Sequence, residues 1–589
     1  MKTLKIVLWI LVFFMAGLIF SFSSQPAKDS NSVSKGFTRK VVDTLPQTKH
    51  KTEQEKQKIV NNVNHYVRKG AHFTAFFFFG LFLLCAMMLT YSNKYSFIKI
   101  LVLSAIIALL YAISDEVHQF FVPNRGPQVK DVFIDFSGSL LSFIIVMLVK
   151  KIKSLFKKSQ VEWFEIFVLR CKMDTKKIIY DNFLKPFINK KIGNIGVELE
   201  FPLINKNNCD VDTEFAREVL DLFLKDGFKT EIADENSNPL FIVNEYGDCL
   251  SFDNSYNNFE FSLNYGNNLL KIKERFETYF KKANDYFNSK NHTLVGLGTN
   301  PNKKFITQNH VGFDTYKMID EYLNKFPGKH KISDFPAYLS SVQTHLDVNI
   351  NDLPKAYTLF SKLDFARAIL FSNSPDFDNK GYVCYRDYLW ENSGFGLGEN
   401  ITGKIDESFD TTDDIIEFFC KKTMFNRKRN GKYETFKPVN IVEYFENEKY
   451  NAKESDIDEY LSFKNVEITK RGTLEVRSDC AQPFSRAFAP PAFNLGILEN
   501  LNEAIDATEG FFDENNIILS NSELRNIVVS GKKLSKICDE DFLSDFLYDL
   551  IEISSEGLEK RGFGEEILLS PLYKNAVTLL PPAKSDNIL

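Results

Sequence analysis

The sequence predicts a multidomain chain, with an N-terminal four-helix transmembrane bundle ahead of a soluble α+β domain. Two observations predict it. Four long uncharged apolar stretches are confined to the first 150 of 589 residues, and from Lys191 onward short period-2 runs alternate with helical ones. The expected organisation is a membrane domain over 1–150, a basic flank with a helical connector over 151–190, and one large soluble domain over 191–589. A mean hydropathy of −0.20 averages over these unlike parts. The 44% apolar content supports real cores and excludes disordered, collagenous and small disulfide-framework classes. A net charge of −5 argues against nucleic-acid binding. Eight dispersed cysteines without a C-x-x-C pair read as reduced thiols in a cytosolic compartment.

The apolar stretches run from Ile6 to Phe22, Phe73 to Tyr91, Ile100 to Ser114 and Phe136 to Val149. A bilayer core takes about 20 helical residues. The first two stretches suffice alone, whereas the last two draw on flanking residues, Lys99 and the Asp131–Asp135 segment. Ser-Phe-Ser-Ser-Gln-Pro after the first lacks a small-residue cleavage pattern, so that span is expected to be retained. Lys2 and Lys5, Lys94 and Lys99, and the basic run from Lys150 to Lys158 fall on one side, which the positive-inside rule makes cytoplasmic. Both termini and the soluble domain are therefore expected in the cytosol.

That topology gathers ionisable residues at the outer face. Arg68, Lys69 and His72 open the second span, Asp115, Glu116 and His118 end the third, and Arg125, Asp131 and Asp135 lead into the fourth. Charges at membrane depth are costly and usually paired. Two readings stay open, a functional site or a set of ion pairs and interfacial anchors. Phe22-Ser23-Ser24-Gln25, Arg68-Lys69-Gly70-Ala71-His72-Phe73, Asp115-Glu116-Val117-His118-Gln119-Phe120 and the Asp131–Asp135 segment resemble the VanZ-like membrane family over nearly all of residues 1–150. The resemblance implies a loose link to glycopeptide-antibiotic tolerance and no defined reaction.

In the soluble domain, four period-2 runs carry carboxylates on one face. Ile195 to Phe201 alternates apolar residues with Glu198 and Glu200, and Phe259 to Leu263 presents Glu260 and Ser262. Val342 to Asn349 lines up Gln343, His345, Asp347 and Asn349, and Thr473 to Ser478 lines up Thr473, Glu475 and Arg477. Strand side chains alternate, so each run offers an oily face to a core and a polar face to a cavity or solvent. A solvated face would mix in lysine, and lysine is absent from all four. Neighbouring carboxylates repel unless a cation lies between them. Oxygen-rich clusters with one imidazole suit Mg²⁺ or Mn²⁺. The expected site is a metal-binding cavity floor, where two or three Mg²⁺ ions could grip the phosphates of ATP while Arg477 stabilises the transferring phosphoryl group. The nearest glycine-rich turn, Gly296-Leu297-Gly298-Thr299-Asn300-Pro301, lacks the Lys and Ser/Thr of a P-loop.

These strands resemble the glutamate–cysteine ligase family, especially its plant-type branch, within the carboxylate–amine ligases. The matching pieces, in order, are Gly196 to Glu200, Asn258 to Ser262, Gly296 to Pro301, Val342 to Asp347, Phe371 to Pro375 with Tyr385 to Trp390, and Gly472 to Arg477. The resemblance implies a glutamine-synthetase-like fold with a curved antiparallel sheet, making residues 191–589 a catalytic domain. It implies ATP-dependent amide formation through γ-glutamyl phosphate, with glutamate and an amine, cysteine favoured, as substrates. Glu198, Glu200, Glu260, His345 and Glu475 would be metal ligands. Arg477 would contact phosphate, Arg386 would hold a substrate carboxylate, and Gln343 and Trp390 would line the pocket. His345 stands where the plant branch usually has Asn, and Glu391-Asn392-Ser393-Gly394 departs from its acidic pattern. A membrane-tethered ligase is the expected function. The alternative is a VanZ-like envelope protein whose ligase-like domain only binds ligand and regulates. The lipid bilayer is the expected partner, and the oligomeric state stays open.

Overall fold

The computed structural model describes residues 2–24, 27–44, 48, 51–91, 97–122, 129–155, 174–302, 310–376, 378, 380–398 and 401–585. The chain divides into two compact units, Met1–Val168 and Leu169–Leu589.

The N-terminal unit is helical, with α1 Lys2–Ser23, α2 Ala27–Thr44, α3 Glu53–Tyr91, α4 Phe97–Phe120 and α5 Val129–Leu155. Phe76, Leu84, Ala108, Ala112 and Phe143 form its core, while Phe13, Ile98, Leu110 and Phe133 point outward. Trp9 Nε1 donates to Thr90 Oγ1 at 3.1 Å and Tyr111 Oη to the Ala16 carbonyl at 2.7 Å, tying α1 to α3 and α4. Among the described residues, Lys69–Tyr91 and Ile98–Phe120 are long and apolar enough to cross a membrane, and Val7–Ser23 is a shorter apolar helix. The third stretch reaches crossing length by drawing on its flanks, as expected, because α4 takes in Ile98, Lys99 and residues 115–120. Val7–Ser23 lies within α1, and the side chains of residues 1–4 and 6 lie outside the described set. The first loop is also largely helical, since α2 and the opening turns of α3 occupy it.

The C-terminal unit is α+β. Its main sheet comprises β1 Ile195–Asn205, β2 Lys229–Ala233, β3 Pro239–Val243, β4 Cys249–Phe252, β5 Asn258–Gly266, β6 His292–Leu294, β7 Ser341–Leu346, β8 Val466–Ile468 and β9 Leu474–Cys480. Its order is β8-β9-β7-β1-β5-β4-β3-β2, with β6 beside the far end of β1, and the pairings are antiparallel. The helices that matter below are α6 Leu269–Asn288, α7 Asp314–Lys325, α8 Asp364–Phe371, α9 Tyr385–Glu391, α10 Ala489–Glu499 and α11 Asn521–Val529.

The alternation in the sequence produces this layering. Val197, Leu199, Phe201, Phe259, Phe261, Val342, Leu474 and Val476 are buried on one sheet face. Phe201 stacks on Phe276 of α6 at 5.8 Å, and Phe261 meets the same ring edge-on at 5.2 Å. Burying aromatic side chains this way contributes about 2–3 kcal/mol each. The stretch expected as a connector joins this core from Ile178 to Phe187, and residues 156–173 lie outside the described set.

A buried ion pair fastens β4 to α6. Asp248 accepts from Arg275 Nε and Nη2 at 2.7 and 2.9 Å, from Tyr279 Oη at 2.9 Å and from the Asn264 amide at 2.9 Å. Burial raises the Asp248 pKa, but Arg275 and the Asn264 amide outweigh it and hold the carboxyl below its usual range. A depressed carboxylate contributes stability above its unfolded pKa and loses it as pH falls through the folded value. Asp248→Asn is expected to lower the unfolding free energy at pH 7 by about 2 kcal/mol. Urea melts should show that gap closing in acid, as the wild-type carboxylate protonates.

Candidate functional site

Antiparallel register brings the four acidic strands into one wall. Glu200 stands opposite Glu260, Glu198 opposite both Ser262 and Gln343, and His345 opposite both Gly196 and Glu475. Directly opposed residues share a sheet face, so every residue expected as a metal ligand faces the same way. Glu198 Oε1 lies 3.0 Å from His345 Nε2, and Glu475 Oε1 lies 3.9 Å from that nitrogen. Donor atoms of Glu198, His345 and Glu475 all fall within 4.8 Å of one another. Thr473 Oγ1, 3.3 Å from His345 Nδ1, steadies the far side of the ring.

Glu200 and Glu260 stand outside that triad. Glu200 accepts from Gln343 Nε2 and from the Ser341 amide, both at 2.7 Å, and Glu260 accepts from the Ser262 hydroxyl. Crowding shows in their protonation. Burial and then Asp253 push Glu200 up to about 7, and burial, then Glu198, Asp253 and Glu200, push Glu260 well above the carboxylate range. Glu198 is the exception: burial raises it, but the charge and hydrogen bond of His345, together with Arg471 and Arg477, outweigh that and hold it at about 2. One imidazole among crowded carboxylates matches the donor set of an Mg²⁺ or Mn²⁺ centre.

A cavity of about 410 Å³ opens on this wall, lined by Glu198, Asp253, Arg386, Trp390, Glu475 and Arg477 among others. Arg477 Nε lies 3.6 Å from Glu475 Oε1, and its Nη1 donates to the Ser462 carbonyl at 3.0 Å. Arg386, 8% exposed, donates from Nη2 to the Arg477 carbonyl at 3.0 Å, while its Nε has no hydrogen-bond partner. Trp390 stacks on Phe463 at 4.7 Å, so it is both a packed aromatic and a cavity wall. A second cavity of about 470 Å³ is lined by Gly196, His345, Asp347 and Thr473 and shares Glu198 and Arg471 with the first.

Sequence reasoning missed two residues of this site. Asp253 lines the first cavity, held by Tyr316 of α7. Continuing the alternation Cys249, Ser251, Asp253 past the end of β4 would have found it. Arg471 Nη2 lies 3.5 Å from Glu198 and from His345 Nε2, and reaches them from the turn before β9. No pattern marks a basic turn residue of this kind. The Gly296 turn packs instead of cradling phosphate: a Cβ there would meet the Gln482 carbonyl oxygen at 2.3 Å. Asp347 is taken by Lys190 at 2.7 Å.

The polar residues of the N-terminal unit divide differently. Lys69 pairs with Asp131 at 2.6 Å, His118 stacks on Phe20 at 4.1 Å, and His72, Asp115 and Asp135 come together. Glu116 accepts from Gln119 Nε2 at 3.1 Å. Arg125 and the Arg68 side chain lie outside the described residues.

Comparison with known proteins separates the same two parts. Residues 8–150 match the VanZ/LLP1 family model, and the remainder is similar to glutamate–cysteine ligases. Glutamate–cysteine ligase A, chloroplastic, of Oryza sativa subsp. indica is 25% identical over 237 residues, which cover 38% of this chain and 46% of that protein. The chloroplastic enzyme of Nicotiana tabacum is 25% identical over 256 residues, covering 41% and 48%. The chain thus spans about half the length of the curated relatives it matches. Among solved structures, glutamate–cysteine ligase from Francisella tularensis in complex with AMP aligns with a TM-score of 0.37 and 12% identity, covering 68% of this chain and 91% of that one.

Proposed function

We propose that this chain is a membrane-tethered, ATP-dependent carboxylate–amine ligase of the glutamate–cysteine ligase kind. It joins the γ-carboxylate of glutamate to an amine, cysteine favoured, through γ-glutamyl phosphate. One observation carries the proposal: three strands distant in sequence deliver donor atoms of Glu198, His345 and Glu475 within 4.8 Å of one another beside a cavity lined by Arg386, Arg471 and Arg477.

Each residue then has a role. Glu198, His345 and Glu475 would hold one divalent cation, and Glu200 and Glu260 would serve another. Mg²⁺, or Mn²⁺, bound there supplies positive charge to the β- and γ-phosphate oxygens of ATP. Arg386, with a buried and unpartnered Nε, binds a substrate carboxylate. Arg477 faces the same cavity and stabilises charge on the transferring phosphoryl group. Trp390 and Phe463 exclude water that would hydrolyse the acyl phosphate. Two cavities that meet at Glu198 suit two successive steps, phosphoryl transfer from the nucleotide to the glutamate carboxylate on one side and attack of the amine on the acyl phosphate, releasing phosphate, from the other. The four apolar stretches, of which Lys69–Tyr91 and Ile98–Phe120 are long enough by themselves, would anchor the chain in the bilayer, and with four crossings the basic flanks favour residues 191–589 in the cytosol with ATP.

The test is an ADP-release assay on the full chain in detergent, with Mg²⁺, glutamate and a panel of amines, and with hydroxylamine to trap activated glutamate. Release that needs glutamate, together with a γ-glutamyl hydroxamate, is the expected result. Glutamate or ATP binding without ADP release over the whole panel would instead leave the ligand-binding regulator.

A further inference from the structure

The N-terminal unit brings one imidazole and two carboxylates together from three different helices. His72 lies on α3, Asp115 on α4 and Asp135 on α5, and a donor atom of each falls within 4.8 Å of the other two. Asp115 and Asp135 are only 4% and 2% exposed. Among the described residues Asp135 Oδ2 has no hydrogen-bond partner, and it lies 3.8 Å from His72 Nδ1. That gap is too long for a hydrogen bond. It fits two donors on one ion, because ligands about 2.1 Å from a metal stand roughly 3–4 Å apart.

The surroundings look built to hold this arrangement. Ser23 Oγ and Gln119 Nε2 donate to Asp115 Oδ2 at 2.9 and 3.0 Å, the kind of outer hydrogen bond that aims a ligating carboxylate. Gly138, one turn past Asp135, lets α5 touch α3 beside His72: a Cβ there would stand 2.3 Å from the Phe73 carbonyl oxygen. Ser139 Oγ then donates to the Phe76 carbonyl at 2.8 Å, fixing the two helices in register. The neighbouring lysine is committed elsewhere, since Lys69 pairs with Asp131 at 2.6 Å. A buried carboxylate oxygen without a hydrogen bond is costly unless something compensates it.

We propose that His72, Asp115 and Asp135 bind one divalent transition cation. One imidazole with two carboxylates is a nitrogen–oxygen donor set suited to Zn²⁺ or Mn²⁺. Three protein donors leave a coordination position for an outside oxygen ligand, the pattern of reactive rather than purely structural sites. The site is separate from the acidic wall of the other unit and stands whether or not the ligase reading does.

The test measures bound metal, not turnover. The full chain in detergent is equilibrated with Zn²⁺ or, separately, Mn²⁺, freed of excess by gel filtration and analysed by elemental mass spectrometry. Wild type is compared with Asp135→Asn, His72→Gln and Asp131→Asn, and with Glu475→Gln to account for the other unit. Asp135→Asn and His72→Gln should each lose one equivalent and bind at least about 100-fold more weakly. Asp131→Asn, which breaks the ion pair one turn away, and Glu475→Gln should keep that equivalent. Unchanged metal content in both Asp135→Asn and His72→Gln overturns the proposal. So does an equal loss in Asp131→Asn, because the effect would then belong to helix packing.

Discussion

Replacing Glu475 with Gln is expected to slow ADP release about a thousandfold, about 4 kcal/mol of transition-state stabilisation, with little change in stability. The amide keeps the shape and hydrogen-bonding capacity of the carboxylate and removes its charge. That charge lies 3.9 Å from His345 Nε2 and 3.6 Å from Arg477 Nε, between the expected cation and the arginine that meets the phosphoryl group. Glu198, held ionised, already puts like charge on the wall, so losing one carboxylate relieves repulsion in the folded state. Urea unfolding should therefore differ from wild type by no more than about 1 kcal/mol. Wild-type turnover in Glu475→Gln would remove this strand from the reaction.

Arg525→Met is expected to destabilise the C-terminal unit by about 3–5 kcal/mol. Arg525 is 1% exposed and donates to Asp387 at 2.8 and 3.1 Å, to the Asp364 carboxylate at 3.0 Å and to the Asp364 carbonyl at 2.8 Å. It joins α11 to α8 and to α9, the helix that carries Arg386. Methionine fills much of the volume but leaves two buried carboxylates with less compensation, Asp387 relying on Lys404 and Cys384, and Asp364 on Arg367, Ser478 and Asn465. Burial raises the Asp387 pKa, yet Arg525 and then Lys404 outweigh it and hold the group well below the carboxylate range. Its stabilising contribution is present at neutral pH and lost as pH falls through the folded value, so the deficit of the variant should be largest near pH 7. Adding Asp387→Asn to Arg525→Met should recover part of the loss, as expected for coupled neighbours. A single variant within 1 kcal/mol of wild type would show the network to be dispensable.

Local pattern made much of this readable in advance. Apolar length marked the N-terminal helices, and Ile98–Phe120 reaches crossing length by taking in the residues that flank its apolar stretch. Alternation placed Glu198 with Glu200, Glu260 with Ser262, His345 with Gln343, and Glu475 with Arg477, because side chains along a strand point to opposite faces in turn. Asp253 follows the same rule one residue past β4, a strand that the sequence reading did not single out. Arg471 and Arg525 carry no such mark, because a turn residue and a helix residue acquire their carboxylate partners only from distant segments.

From the order of residues alone followed two unlike halves and the membership of each acidic face. Long-range pairing settled the rest. With β1 between β5 and β7, Glu200 meets Glu260 and Glu198 meets His345, while β9 on the far side of β7 brings in Glu475. Strand order and register depend on hydrogen bonds and core contacts between segments more than a hundred residues apart, and a slip of one residue would turn each face away.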